Sequence, residues 1–191
     1  MESDKISDKD LWEGFKKGDP EALSYIYEQH VQLLFRFGKK FTSDNELVKD
    51  TIQDLFFDLI RTRKNLGSTD NIKFYLIASF RRKLTVSLKK RPLHLDLDLE
   101  KTKDREFFNL QEQEPGEKKE LSPKEKLVRE GLRTLTPKQR EILYYRYTCN
   151  FTYEQICQLT SLKYDSLRKQ NFRALKSLKN WLSTKIKLSS L

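Results

Sequence analysis

The chain has 191 residues, 37% of them apolar, and its 38 Lys and Arg outweigh 28 Asp and Glu to give a formal net charge of +10. That length buries one moderate core or two small ones. The charge favours two, because residues 64–91 and 163–191 each balance at +7 while residues 92–122 balance at −4, and two separated basic segments suit one polyanion gripped twice.

The opening MESDKISDKD is polar and acidic, so neither a signal peptide nor membrane insertion is expected. Helix starts then follow in order: Asp19-Pro20, Ser43 with Glu46, Ser122-Pro123 with Glu125, Thr136-Pro137 with Gln139, and Thr152 with Gln155. In the last four a hydroxyl can accept from the N3 amide while Glu or Gln reaches back. These signals and the apolar spacing predict helices near 8–17, 19–41, 43–63 and 71–90, then near 123–134, 137–148, 153–160 and 163–183. The intervening stretch holds Pro92, Pro115 and Gly116, lacks a helical stripe and is acidic, which reads as a linker. Within it, the alternation from His94 to Leu99 is expected to be extended but unpaired. No convincing strand appears, so the fold class expected is all-α, with two small helical domains joined by an acidic linker.

Across 47–60 the residues Leu47, Val48, Thr51, Ile52, Leu55, Phe56, Leu59 and Ile60 form a stripe expected to be core. The opposite face carries Lys49, Asp50, Gln53, Asp54, Phe57, Asp58 and Arg61. Phe57 therefore stands among charges on a solvent face, which suits a protein partner; the alternative is that its ring folds over the edge of the core or meets another helix.

The next helix packs through Leu76, Ile77, Phe80, Leu84 and Leu88 and turns Lys73, Arg81, Arg82, Thr85 and Lys89 elsewhere. Cations that follow a phosphate backbone, with Phe74 and Tyr75 nearby for stacking, are what capture of unpaired bases requires; aromatics at helical spacing are equally core residues. Before it, Asn65, Ser68 and Asn71 offer amide or hydroxyl groups that read base edges or serve as turn and cap residues.

Residues 134–182 read as a helix-turn-helix: a short helix from Thr152 to Thr160, a turn at Ser161-Leu162, and a longer helix with Leu162, Leu167, Ala174, Leu175 and Leu178 inward. Asp165, Arg168, Lys169, Phe172, Arg173 and Lys176 are left outside, a basic face suited to a major groove. A basic amphipathic helix that binds an acidic protein is the other reading. Ser161 at the turn is expected either to take an unfavourable conformation or to reshape the turn, and Asn171 is expected to bond locally.

The run from Asp50 to Phe56 resembles sigma-factor region 2.2, and Tyr75-Leu76 with Arg81-Arg82 is similar to regions 2.3 and 2.4. Leu135, Arg140, Glu141, Leu143, Arg146, Tyr147, Tyr153, Glu154, Ile156 and Cys157 resemble region 4. On these motifs the chain is similar to the extracytoplasmic-function (group 4) sigma factors. The resemblance implies a region 2-like helical bundle at 8–91, a linker at 92–121 and a region 4-like helix-turn-helix domain at 122–185. It implies binding of core RNA polymerase, at the beta-prime coiled coil and the beta flap, with Asp50, Gln53 and Asp54, joined by Phe57, meeting the beta-prime coiled coil. It also implies promoter DNA contacts by Asn65, Ser68, Asn71, Arg81, Arg82 and Lys89 at the minus-ten element, and by Lys163, Arg168, Lys169, Phe172, Arg173 and Lys176 at the minus-thirty-five element. An anti-sigma factor is a further partner that many relatives have, and the acidic linker would thread through polymerase toward the RNA exit channel.

Five features depart from the family pattern: Ile60 where Trp is common, Arg82 where Asn is usual, Ser161 where the turn has Gly, Lys163-Tyr164-Asp165 where small residues are usual, and Asn171 where an apolar residue is common. The alternative function is a helix-turn-helix regulator that binds operator DNA without polymerase. Catalysis is not expected, because His30 and His94 stand outside any constellation and the glycines form no phosphate cradle; His30 is expected on a helix surface. Cys149 and Cys157 lie eight apart without a CxxC, so neither a metal nor another cofactor is expected, and the reducing cytoplasm is the expected compartment.

Overall fold

A computed structural model describes residues 6–90 and 122–188, and the chain divides in sequence between Leu97 and Asp98 into two compact units. The expected linker, 92–121, with its His94–Leu99 alternation, lies outside the described residues. Among those residues there are eight α-helices and no strand, and no helix is long and apolar enough to cross a membrane.

In the first unit, α1 (Asp8–Lys17) starts where the Ser7 side chain accepts from the Asp10 amide and ends at Gly18, whose φ of 95° only glycine adopts without strain. The next residue, Asp19, caps α2 (Pro20–Gly38) with Pro20 in its first turn. The expected Ser43–Glu46 box at the next helix does not form. Asp44 is the cap instead, its carboxylate accepting from the Leu47 amide at 2.9 Å, and α3 spans Asn45–Thr62. The physical reason is that Asp44, one residue along, is an equally favoured cap, and its carboxylate takes the Leu47 amide in place of the Glu46 amide that a Ser43 cap would take. A single tight turn, Arg63–Asn65, leads to a loop and to α4 (Ile72–Lys90).

Trp12, Leu34, Phe37, Val48, Ile72, Leu76, Ile77 and Phe80 are fully buried and make the centre of this core. Its tightest point is Gly38, where a Cβ would stand 2.7 Å from Val48 Cγ1 and 3.0 Å from Phe80 Cζ. Glycine there lets the end of α2 touch both α3 and α4. Ile60 departs from the expected core stripe and is 40% exposed, because the stripe is wider than the surface that covers it. His30, expected on the surface, is half-buried, and burial holds its pKa below the usual histidine value.

In the second unit three helices start with reciprocal capping boxes as expected: α5 (Pro123–Arg133) on Ser122 and Glu125, α6 (Pro137–Leu143) on Thr136 and Gln139, and α7 (Tyr153–Thr160) on Thr152 and Gln155. The helix expected over 137–148 widens after Leu143 into one π turn, Tyr144–Thr148. The Cys149 amide bonds the Tyr144 carbonyl five residues back, and Asn150 at φ 60° lets Phe151 bond Tyr145. The widened turn buries Tyr145, Cys149 and Phe151 together.

The last helix, α8 (Tyr164–Leu188), runs five residues past the expected end. Its inward row is Leu167, Asn171, Ala174 and Leu178, at alternating steps of four and three; Leu175, expected inside, falls beside that row and is 38% exposed. Gly131 of α5 meets this helix closely, a Cβ there standing 2.6 Å from Leu178 Cδ1 and 2.9 Å from the Trp181 ring. Asn171 does not bond locally. Its amide donates to the Tyr153 hydroxyl at 3.0 Å and contacts that of Tyr147 at 3.4 Å, because its place in the inward row aims it at α7 and the π turn. Ser161 takes the left-handed conformation, φ 56°, that the turn requires.

Candidate functional site

Three surfaces carry the candidate residues, and the second unit holds the first. A step of 100° per residue puts Asp165, Arg168, Lys169, Phe172, Arg173 and Lys176 on one arc of α8 opposite Leu167 and Ala174. All six are exposed, Phe172 by 66%, and Lys163 stands exposed just before the helix. The row from Leu167 to Leu178 keeps that arc outward, and the Asn171–Tyr153 bond ties α8 to α7. Further support comes from Arg146, whose guanidinium donates to the Phe151 carbonyl at 2.8 Å and lies 5.1 Å from the Tyr153 ring centre. Chemically this is a helix whose long cationic side chains and one aromatic are free to reach base edges and phosphates on either side of a groove.

The second surface lies on the first unit, around the loop from Asn65 to Asn71 and the outer side of α4. Asn65, Arg82 and Lys89 are exposed, while Arg81 is half-buried. Ser68 is exposed and donates its hydroxyl to Glu13. Asn71 serves as a cap, its side-chain oxygen accepting from the Phe74 amide at 2.8 Å. The aromatics beside it are engaged within the unit: Tyr75 packs on Trp12 with ring centres 4.8 Å apart, and Phe74 is half-buried. The cap reading thus accounts for much of Asn71 and the core reading for much of Tyr75, whereas Asn65, Arg82 and Lys89 extend into solvent.

The third surface is on α3. Asp50, Gln53 and Asp54 are exposed and Phe57 is 64% exposed, so its ring does not fold over the core. Asp58, on the same face, is engaged by Lys83 of α4 and by Arg61, and the Lys83 hydrogen bond above all holds its carboxyl below the usual range. Beside these residues runs a groove of about 750 Å³ between α2 and α3. Tyr27, Val31 and Phe35 line one side, Ile52, Phe56, Phe57 and Ile60 the other, and Lys49 and Gln53 also border it. The Tyr27 and Phe56 rings meet edge to face at 4.9 Å. Tyr27, Val31 and Phe35 were not singled out from the sequence, although their spacing of four is a legible stripe. Ile60 belongs to the same surface rather than to the core.

Among the described residues no group of three metal-ligating side chains occurs. Comparison with known proteins bears on all three surfaces. The family model for sigma-70 region 2 matches residues 26–92, and that for sigma-70 region 4 matches residues 125–178. No curated protein matches the sequence significantly. Two solved structures share the fold. One is CnrH in complex with the cytosolic domain of CnrY, 14% identical with a TM-score of 0.57, covering 93% of this chain and 97% of that one. The other is the sigma factor RpoE in complex with the anti-sigma factor NepR from Bartonella quintana, 16% identical with a TM-score of 0.58, covering 85% and 98%. The region 2 match contains the acidic face of α3 and the loop before α4, the region 4 match contains the cationic arc of α8, and the two span more than half of the sequence in family order. The chain therefore belongs to the sigma-70 family and is a sigma factor, which binds core RNA polymerase and directs promoter-specific transcription initiation.

Proposed function

We propose that the chain is an extracytoplasmic-function (group 4) sigma factor, a non-enzymatic factor working in the cytoplasm. Its proposed region 2-like domain spans 8–91, its linker 92–121 and its region 4-like domain 122–185. Asp50, Gln53, Asp54 and Phe57, with the groove beside them, receive the beta-prime coiled coil of polymerase. Asn65, Ser68, Asn71, Arg81, Arg82 and Lys89 serve the minus-ten element. On α8, Arg168, Lys169, Phe172 and Arg173 read the minus-thirty-five element while Lys163 and Lys176 hold phosphates. The observation that carries this reading is the cationic arc of α8, built on a short capped helix and a left-handed turn. An anti-sigma factor is proposed as the regulator, since RpoE, which shares the fold, was solved with one.

The assignment separates base contacts from phosphate contacts, and so predicts two different phenotypes. With holoenzyme on single-base variants of a minus-thirty-five element, Arg173→Ala relaxes preference at one base pair by about 1–3 kcal/mol. Lys176→Ala weakens binding evenly across sequences and lowers the salt slope by about 1. Equal scaling of every promoter by both variants, with no change in base preference, would overturn the roles assigned to α8.

A further inference from the structure

The loop between α3 and α4 is held in large part by a helix that it does not join. Trp12 of α1, wholly buried, donates its indole Nε1–H to the Gly67 carbonyl at 2.8 Å. One residue along in each segment, Glu13 accepts a hydrogen bond from the Ser68 hydroxyl with the oxygens 2.5 Å apart. Asp8 accepts from the Ile72 amide at 2.9 Å, where the loop enters α4. These bonds link residues 55 to 64 apart in sequence. The Trp12 ring adds a face for Tyr75 at 4.8 Å, and Lys16 sits 3.2 Å from the Glu13 carboxylate. The Ser68 hydroxyl, and after it Lys16, holds the Glu13 carboxyl below its usual pKa, as a charge-assisted bond requires.

We propose that Glu13 and Trp12 are positioning residues for minus-ten recognition: α1 fixes the loop so that Asn65 and Ser68 meet an unpaired base in one geometry. This rests on the assignment of the loop to the minus-ten element. The physical case is that base discrimination by hydrogen bonds needs groups placed within about 0.5 Å. The loop has little of its own to set that placement: Asn65, Gly67, Ser68 and Asp70 are exposed, and a Cβ on Gly67 would meet nothing within 4 Å. Its own bonds lie at its ends, from the Leu66 amide to the Arg63 carbonyl and from the Asn71 amide to the Thr69 hydroxyl, and α1 adds the bonds at Gly67, Ser68 and Ile72. A serine hydroxyl has a single proton. Since Glu13 takes it, Ser68 presents lone pairs to the base.

The test uses the full-length protein assembled with core polymerase, on a pool of promoter fragments randomised through the minus-ten element. Glu13→Ala is expected to lower preference at one minus-ten position by at least about fivefold, the low end of what one base contact discriminates, while core affinity is unchanged. Glu13→Gln, whose side-chain oxygen can still accept from Ser68, retains most of the preference. Trp12→Phe, which keeps a ring but deletes the indole donor, shifts preference in the same direction as Glu13→Ala. If Asn65→Ala changes the preference and Glu13→Ala leaves it intact, the positioning role is wrong and the loop assignment stands. If neither variant changes it, the loop is not the reader and both ideas fall.

Discussion

Phe57→Ala is expected to weaken binding of core polymerase by about 2–4 kcal/mol, the range of an aromatic hot spot, with the fold left intact. The ring is 64% exposed and borders the α2–α3 groove, so removing it opens no cavity in the core. It would, however, remove the largest exposed apolar group on a face that is otherwise polar and charged, with Asp50, Gln53 and Asp54 exposed beside it. Anchor and charges should separate in kinetics. Phe57→Ala raises the dissociation rate, whereas Asp54→Ala mainly slows association and flattens its salt dependence. Titration of the labelled protein with core polymerase, with thermal unfolding followed in parallel, gives both readouts. Unchanged affinity in Phe57→Ala would remove the α3 surface from the polymerase interface.

Gly38→Ala should be the most damaging small substitution in the first unit, costing about 1–3 kcal/mol through overpacking. The added methyl would stand 2.7 Å from Val48 Cγ1 and 3.0 Å from Phe80 Cζ. Both neighbours are fully buried, so neither can swing into solvent. Relief then requires α2 to move away from α3 and α4, which loosens the frame that carries both the α3 face and the loop before α4. In a unit of this size each kcal/mol lowers the melting temperature by about 4–8 °C. Hydrogen exchange should place the loss of protection within residues 6–90. A melting point equal to wild type would mean that the contact at Gly38 is not tight.

The helices were legible because their signals are local. Asp19-Pro20 and the three S/T-x-x-E/Q starts fix where α2, α5, α6 and α7 begin, since a cap depends on residues within one turn. The α3 start was misread by one residue for the same reason, with Ser43 and Asp44 competing for adjacent orphan amides. The π turn at Tyr144–Thr148 was not legible, because it exists to bury Tyr145, Cys149 and Phe151, and burial is decided by the rest of the unit. Leu175 and Asn171 teach the same lesson from opposite sides. Leu175 was expected inside and Asn171 to bond locally, yet the inward row of α8 leaves Leu175 at its edge and aims Asn171 at two tyrosine hydroxyls on other segments.

At the candidate site, exposure was easier to foresee than partnership. Periodicity alone put Asp54, Phe57, Arg168, Phe172 and Arg173 on solvent faces, where the structure has them. It gave no sign that Lys83 would engage Asp58 or that α1 would hold Gly67 and Ser68. Such pairs join residues 25 to 55 apart, and one sequence carries no pattern that links them. The groove walls were half visible: Ile52, Phe56 and Ile60 stood out as core, while Tyr27, Val31 and Phe35 supply the other side.

The most direct measurement of the sigma function is run-off transcription with open-complex footprinting, using purified core polymerase and genomic fragments with and without the wild-type protein. Core polymerase alone is expected to start at no defined site, and adding the protein to produce discrete transcripts with protection over both promoter elements and a melted stretch at the minus-ten element. Protection of duplex DNA by the protein alone, with no engagement of core polymerase and no defined start, would contradict it and identify a regulator that binds operator DNA.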